Sequence, residues 1–141
     1  MFKPTAALAA LILLASPALA EETTSLRVTI DGIKAETGTI NLGVFDEAGY
    51  NGEGGAVNGA MITVDAGTVT TTIEGLAPGT YGIKVYQDVN DNGQMDTNPF
   101  GMPTEPYAFS NNAKGRFGPA GWDKASFEVV AGGTAHAITL N

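Results

Sequence analysis

From Leu26 onward, apolar and polar side chains alternate with a period of two. Leu26, Val28 and Ile30 interleave with Arg27, Thr29 and Asp31, and Ile40, Leu42 and Val44 interleave with Thr39, Asn41 and Gly43. Successive side chains of an extended backbone point to opposite faces, so this pattern predicts strands with one face buried. Further runs at residues 60–64, 68–73, 81–87, 126–130 and 135–140 bring the total to about seven strands. Turn formers separate them: Asn58 with Gly59, Ala66 with Gly67, Pro78 with Gly79, and Gly132 with Gly133. No window carries the apolar stripe at i, i+3, i+4 and i+7 that a helix of several turns needs. The expectation is an all-β chain, a single antiparallel β-sandwich of the immunoglobulin-like or transthyretin-like kind, with a small closed barrel as the alternative topology.

The first residues break this pattern. A short positive start, Met1-Phe2-Lys3, precedes an almost wholly apolar run at residues 6–15, and Ala18-Leu19-Ala20 offers a small-x-small cleavage site. Residues 1–20 are therefore expected to be a secretory signal peptide, leaving residues 21–141 as the β-sandwich domain. A membrane anchor is the rival reading. Spanning about 30 Å of hydrocarbon takes about 20 apolar residues, and Ser16-Pro17 interrupts this run too early. The product is expected in the periplasm or secreted, with no membrane-spanning segment after cleavage, and as a monomer.

Composition narrows the chemistry. The 141 residues hold 15 Asp plus Glu against 7 Lys plus Arg, a net charge of -8, which would repel a phosphate backbone; no nucleic-acid partner is expected. With no Cys there is no disulfide, thiolate site or cysteine nucleophile, and one His leaves no multi-histidine metal site. Export without cystine points to a bacterial envelope.

Candidate chemistry concentrates in the connection between the strands at 81–87 and 126–130, far longer than a hairpin loop. It opens Asp88-Val89-Asn90-Asp91-Asn92-Gly93-Gln94-Met95-Asp96, with oxygen-bearing side chains at positions 1, 3, 5 and 9 and Gly at 6. That is the front of a calcium loop: a hard cation needs several converging oxygens, alternate residues of a tight turn project inward, and Gly93 permits the bend. Asp88, Asn90, Asn92 and Asp96 would offer side chains and Gln94 its carbonyl, with Asp91 outward. Position 12 is Pro99, so the bidentate Glu that closes an EF-hand is missing, as are flanking helices. Glu105, Asp46 or water would complete the shell. Two carboxylates place such a structural calcium site at the weak end, roughly 10⁻⁴ to 10⁻³ M. The plain alternative is an Asn- and Gly-rich turn with solvated acids.

The rest of the connection is dense in Pro and aromatics, with Phe100, Met102, Tyr107, Phe109, Phe117 and Trp122. So many aromatics are expected to pack as a flap over one end or edge of the sandwich, or to line a groove for a ligand or partner. In the groove reading Tyr107, Phe109 and Trp122 supply apolar contact, and Asn111 and Asn112 polar contact. Lys114, Arg116 and Lys124 cluster here, as an anion contact or as a solvated face.

Two resemblances attach to these residues. The run Gly75-Leu76-Ala77-Pro78-Gly79-Thr80-Tyr81 resembles the Gly-Leu-x-Pro-Gly-x-Tyr turn of transthyretin-like and collagen-adhesin B-type sandwich modules. Its mechanics are those of a turn: Pro78 fixes φ, Gly79 is expected at positive φ, and Tyr81, Ile83 and Val85 enter a central strand. The larger pattern joins the run from Asp88 to Asp96, Phe100-Gly-Met-Pro-Thr-Glu105, Tyr107-Ala-Phe-Ser-Asn-Asn112 and Phe117-Gly-Pro119. It resembles a family of exported bacterial proteins catalogued as domain of unknown function 2141. Members often carry His before the first Asp, where this chain has Gln87. The resemblance implies an exported sandwich and no particular reaction.

Three function classes remain. The leading expectation is a noncatalytic, calcium-stabilised module that binds an envelope or extracellular partner through the long loop. The second is a small-ligand carrier with an apolar pocket under the segment from Phe100 to Trp122. The third is a hydrolase using carboxylates among Asp46, Glu47, Glu53, Asp88, Asp96 and Glu105. No nucleophile elbow, histidine relay or phosphate loop is present, and His136 reads as a half-exposed strand residue.

Overall fold

The computed structural model describes residues 22–141 of the chain, so the expected signal peptide lies outside the described residues. Each alternating run becomes a strand: β1 (Thr24–Asp31), β2 (Thr39–Phe45), β3 (Asn58–Thr63), β4 (Val69–Leu76), β5 (Gly79–Asp88), β7 (Phe127–Val129) and β8 (Thr134–Thr139). An eighth strand, β6 (Tyr107–Phe109), lies inside the long connection. Three residues flanked by Pro106 are too short to show a period, which is why the sequence reads them as loop. Among the described residues, helix is limited to two four-residue turns, α1 (Glu47–Tyr50) and α2 (Trp122–Ala125), and a three-residue 3-10 turn, Ser110–Asn112.

The strands form two sheets. One is three-stranded in the order β4-β1-β8; the other runs β3-β2-β5-β6, with β7 also pairing β5. Tyr81 of β5 pairs Phe127 of β7, and Lys84, Val85 and Tyr86 pair Phe109, Ala108 and Tyr107 of β6. The alternation seen in the sequence sets the two faces: Leu26, Val28 and Ile30 of β1 meet Ile40, Val44 and Ile83 of the other sheet, all fully buried. Burial of side chains this size contributes about 1.5–3 kcal/mol each. The expected sandwich is thus present, closed by a single core between the sheets.

Two local expectations need correction. The sandwich is not wholly antiparallel, because β8 runs parallel to β1. Its direction is set by the crossover after β7, pinned where Thr24 Oγ1 donates to Val130 O (2.9 Å) and accepts from Gly133 N (3.0 Å). Nothing in the alternation of β8 itself encodes that direction. In the turn before β5, the positive φ falls on Gly75 (φ 79°), not on Gly79, while Tyr81 Oη donates back to Ala77 O at 2.6 Å.

Candidate functional site

The turn at residues 88–96 is tightly organised. Asp88 ends β5 with 3% exposure; its carboxylate accepts from the backbone N–H of Asn92 (3.2 Å) and Gly93 (2.7 Å). Gly93, at φ 79°, turns the chain there. Asn90 Oδ1 accepts from Asn92 N and Asn92 Oδ1 from Gln94 N, while the amide nitrogens of Asn90 and Asn92 each donate to Asp96 at 2.7 Å. Asp88, Asn90, Asn92 and Asp96 are therefore brought together as one cluster. Gln94 contributes its backbone N–H to it. Asp91, exposed and at positive φ (53°), accepts from Thr39 Oγ1 at 2.7 Å and ties the turn to β2.

The two carboxylates considered as further ligands have other work. Glu105 is 7% exposed, and its oxygens accept from Val89 N (3.1 Å) and Asp96 N (3.0 Å), bracing the turn across its two ends. Asp46 caps α1, accepting from Gly49 N at 2.8 Å. Because Thr39 pairs Asp88 and Phe45 pairs Gly82, Asp46 belongs to the opposite end of the β2–β5 pair. Among the described residues, no group of three His, Asp or Glu converges in a way that could hold a metal ion. Gln87, fully buried, donates to Ala35 O (2.7 Å) and Thr37 O (2.8 Å); its Oε1 has no partner among the described residues.

A second feature lies under the segment where an apolar pocket was one expectation, although its floor was not legible in the sequence. The outer face of the larger sheet and the long connection enclose a groove of about 1590 Å³. Its floor follows from register. Met61, Asn41, Tyr86 and Tyr107 form one outward row, and Gly59, Gly43, Lys84 and Phe109 form the next. Two adjacent glycines without side chains lower the floor, and a Cβ on Gly43 would meet Phe45 Cε2 at 2.7 Å. The walls are two stretches of the connection, one with Phe100 and Met102, the other with Arg116 and Phe117. Phe100 is 89% exposed and Phe117 fully so. Large apolar side chains left this open on a groove rim are surface that a monomeric fold has no packing reason to expose.

Charge is unevenly placed around the groove. Among the described residues no Asp or Glu lines it, although in the whole sequence they outnumber Lys and Arg by 15 to 7; its two charged lining residues are Lys84 and Arg116. Lys84 is half-buried, donates to Tyr50 O at 2.8 Å, and lies 4.5 Å from the Tyr50 ring and 5.2 Å from the Phe45 ring. Burial lowers its pKa. Tyr86, one row away, has its pKa raised by burial and then by the nearby Asp88 and Glu105. The acidic turn thus borders the groove beyond the Tyr86 row, Lys84 stands in the row farther from it, and Arg116 belongs to the wall.

The residues expected to contact a ligand divide between floor and framework. Tyr107 and Phe109 line the groove. Trp122 does not line it; its ring packs on Tyr50 (5.5 Å) in a second cluster with Phe109, Ala120 and Ala125. There Tyr50 Oη donates to Ala120 O at 2.7 Å, and burial pushes the phenol pKa up to about 12. Asn111 and Asn112, at φ 59° and 51°, spend their side chains on backbone. Asn111 Nδ2 donates to Lys124 O and Ser126 O, and Asn112 Oδ1 accepts from Thr139 N. Asn111 N donates to His136 Nε2 at 3.0 Å, and His136 stacks on Phe127 at 4.1 Å, so this histidine is a packed acceptor. Gly43, Gly59, Met61 and Lys84 are the site residues that sequence reasoning missed. Their alternation marks an outward face, but only register sets them side by side.

Fold and site together define a class: a β-sandwich whose long connection walls an apolar groove on the outer face of one sheet. The bacterial family described as "Uncharacterized protein conserved in bacteria (DUF2141)" matches residues 28–137, and the chain belongs to it. No curated protein and no solved structure matches the chain.

Proposed function

We propose that the chain is a noncatalytic, exported binding module that holds a small, largely apolar ligand in the groove on the outer face of the β3-β2-β5-β6 sheet. The observation that carries this reading is the groove itself. It is larger than the ~300–1,000 Å³ of most small-molecule pockets, is floored by a sheet, and is rimmed by exposed Phe100, Phe117 and Met102. A concave, sheet-floored trough walled on two sides encloses a small ligand better than it seats a protein surface, so the carrier reading gains over a protein partner docking on the loop. A hydrolase is not favoured: Asp46 and Glu105 are committed to backbone N–H groups.

In the same reading the turn at residues 88–96 is the brace that holds the Phe100 wall, and calcium is the cation its donors would take. The supporting chemistry is a set of hard oxygens from Asp88, Asn90, Asn92 and Asp96, with the Gln94 carbonyl beside them. Binding would exchange the two Asn amide contacts with Asp96 for cation contacts, which keeps the site weak and its role structural.

The test is binding of Nile red, a neutral apolar probe, to the purified protein. Saturable fluorescence enhancement is expected, weakened several-fold in Phe117→Ser, whose fully exposed ring adds nothing to the core. No enhancement would remove the ligand reading and leave the Phe100 and Phe117 rim as a protein-docking surface.

A further inference from the structure

The groove's charge distribution identifies the ligand class. In a chain of net charge -8, a large groove with no lining carboxylate and two lining cations is not a random sample of the surface. Excluding carboxylates raises the local potential, and low-dielectric walls focus it on the two cations. Lys84 uses one of its three donors on Tyr50 O, leaving two, and Arg116, being exposed, presents a guanidinium whose fork matches a carboxylate. Along the floor the next row, with Met61, Tyr86 and Tyr107, is apolar except for Asn41 and leads toward Asp88 and Glu105, whose charge would repel an anionic head. A ligand with one charged end therefore has a single favoured orientation.

We propose that the groove binds a free amphipathic carboxylate, a fatty-acid-like anion, with its head at Lys84 and Arg116 and its apolar body over Met61, Tyr86 and Tyr107. This rests on the groove reading above. The Phe100 and Phe117 rims cover the apolar body from the sides and exclude water from it. Gly43 and Gly59, paired side by side on the floor, give it room: a Cβ would press on the Phe45 ring at Gly43 and on the Leu42 carbonyl oxygen at Gly59.

The experiment compares decanoate with decanol by calorimetric titration of the purified protein, with displacement of Nile red as a second readout. Decanoate is expected to bind on the order of tenfold or more tightly than decanol, the scale of one charge-assisted hydrogen bond. Arg116→Gln, a substitution at an exposed side chain that leaves the core untouched, should remove most of that preference by weakening decanoate far more than decanol; Lys84→Gln should act in the same direction. Equal binding of decanoate and decanol would overturn the anion preference but keep the groove as an apolar site. Failure of both to displace or replace Nile red would overturn the groove reading itself. Capture by anionic phospholipid vesicles without binding of free decanoate would also overturn the proposal, in favour of a membrane surface.

Discussion

Asp88 shows how one residue sets a loop. Its carboxylate, almost fully buried, is the acceptor for two consecutive backbone N–H groups; Gly93 N donates to it at 2.7 Å, and Asn92 N shares its hydrogen between Asp88 Oδ1 (3.2 Å) and Asn90 Oδ1 (3.3 Å). Asp88→Ala should therefore cost roughly 1–3 kcal/mol, read as a lower urea midpoint at unchanged slope. A midpoint equal to the parent's would show that the turn is held without it. His136 acts through its protonation state. Its Nε2 must be unprotonated to accept from Asn111 N, and burial lowers its pKa below the ordinary 6.5. The unfolded chain then takes up the proton more readily. Stability should be full above about pH 6.5 and decline as pH falls through that value toward the lower folded-state pKa. His136 is the chain's only histidine, so a urea midpoint that drops between about pH 7.5 and about pH 5.5, and stops dropping in His136→Asn, would report it alone.

At the scale of elements, β5 is the organising strand. Ten residues long, it pairs β2 along one edge and both β7 and β6 along the other, so the two ends of the long connection are fastened to one strand. Ser110, directly after β6, locks this arrangement: fully buried, its hydroxyl accepts from Ile83 N (2.8 Å) and donates to Ala125 O. Ser110→Ala would leave a buried N–H and a carbonyl without partners. A loss of roughly 1–3 kcal/mol in chemical denaturation is expected, with Nile red binding weakened because β6 carries Tyr107 and Phe109 into the groove. Unchanged binding in a destabilised variant would show that the groove does not depend on this lock. The turn motif at residues 75–81 illustrates what a short motif delivers. It placed Tyr81, Ile83 and Val85 in the central strand, whereas which glycine takes positive φ was settled by the register of β4 against β1.

For the whole molecule, the decisive quantity is how the 38 or so residues between the two outer strands of the connection are held; about 1.5 kcal/mol of entropy opposes each residue that is ordered. Calcium at the turn would offset part of this. For a dissociation constant of ~0.1 mM, ~1 mM calcium stabilises by ~1.4 kcal/mol, a rise of roughly 4–8 °C in Tm for a domain of this size. The measurement is thermal unfolding of metal-stripped protein with calcium, magnesium or chelator, followed by the near-UV signal of Trp122. A calcium-selective shift lost in both Asp88→Ala and Asp96→Ala is expected. A shift that survives both substitutions would place the cation elsewhere, and no shift would leave hydrogen bonding as the turn's sole organiser.

Much of this molecule is legible in its residues because strand alternation, turn formers and an Asx-rich loop are local signals, encoded within a few positions. They determined the all-β class, seven of the strands, which faces are buried, and the clustering of Asp88, Asn90, Asn92 and Asp96. Tertiary structure alone decided the rest. The parallel run of β8 depends on a crossover, β6 exists only because β5 offers it an edge, and Trp122, Asn111 and Asn112 became framework because of what packs against them. The groove is the clearest case: Gly43 and Gly59 lie 16 positions apart, and Lys84 and Arg116 are 32 apart, yet register and the fold of the connection put them in one trough. Local patterns fix which way a side chain points, but only the pairing of distant strands fixes what stands beside it.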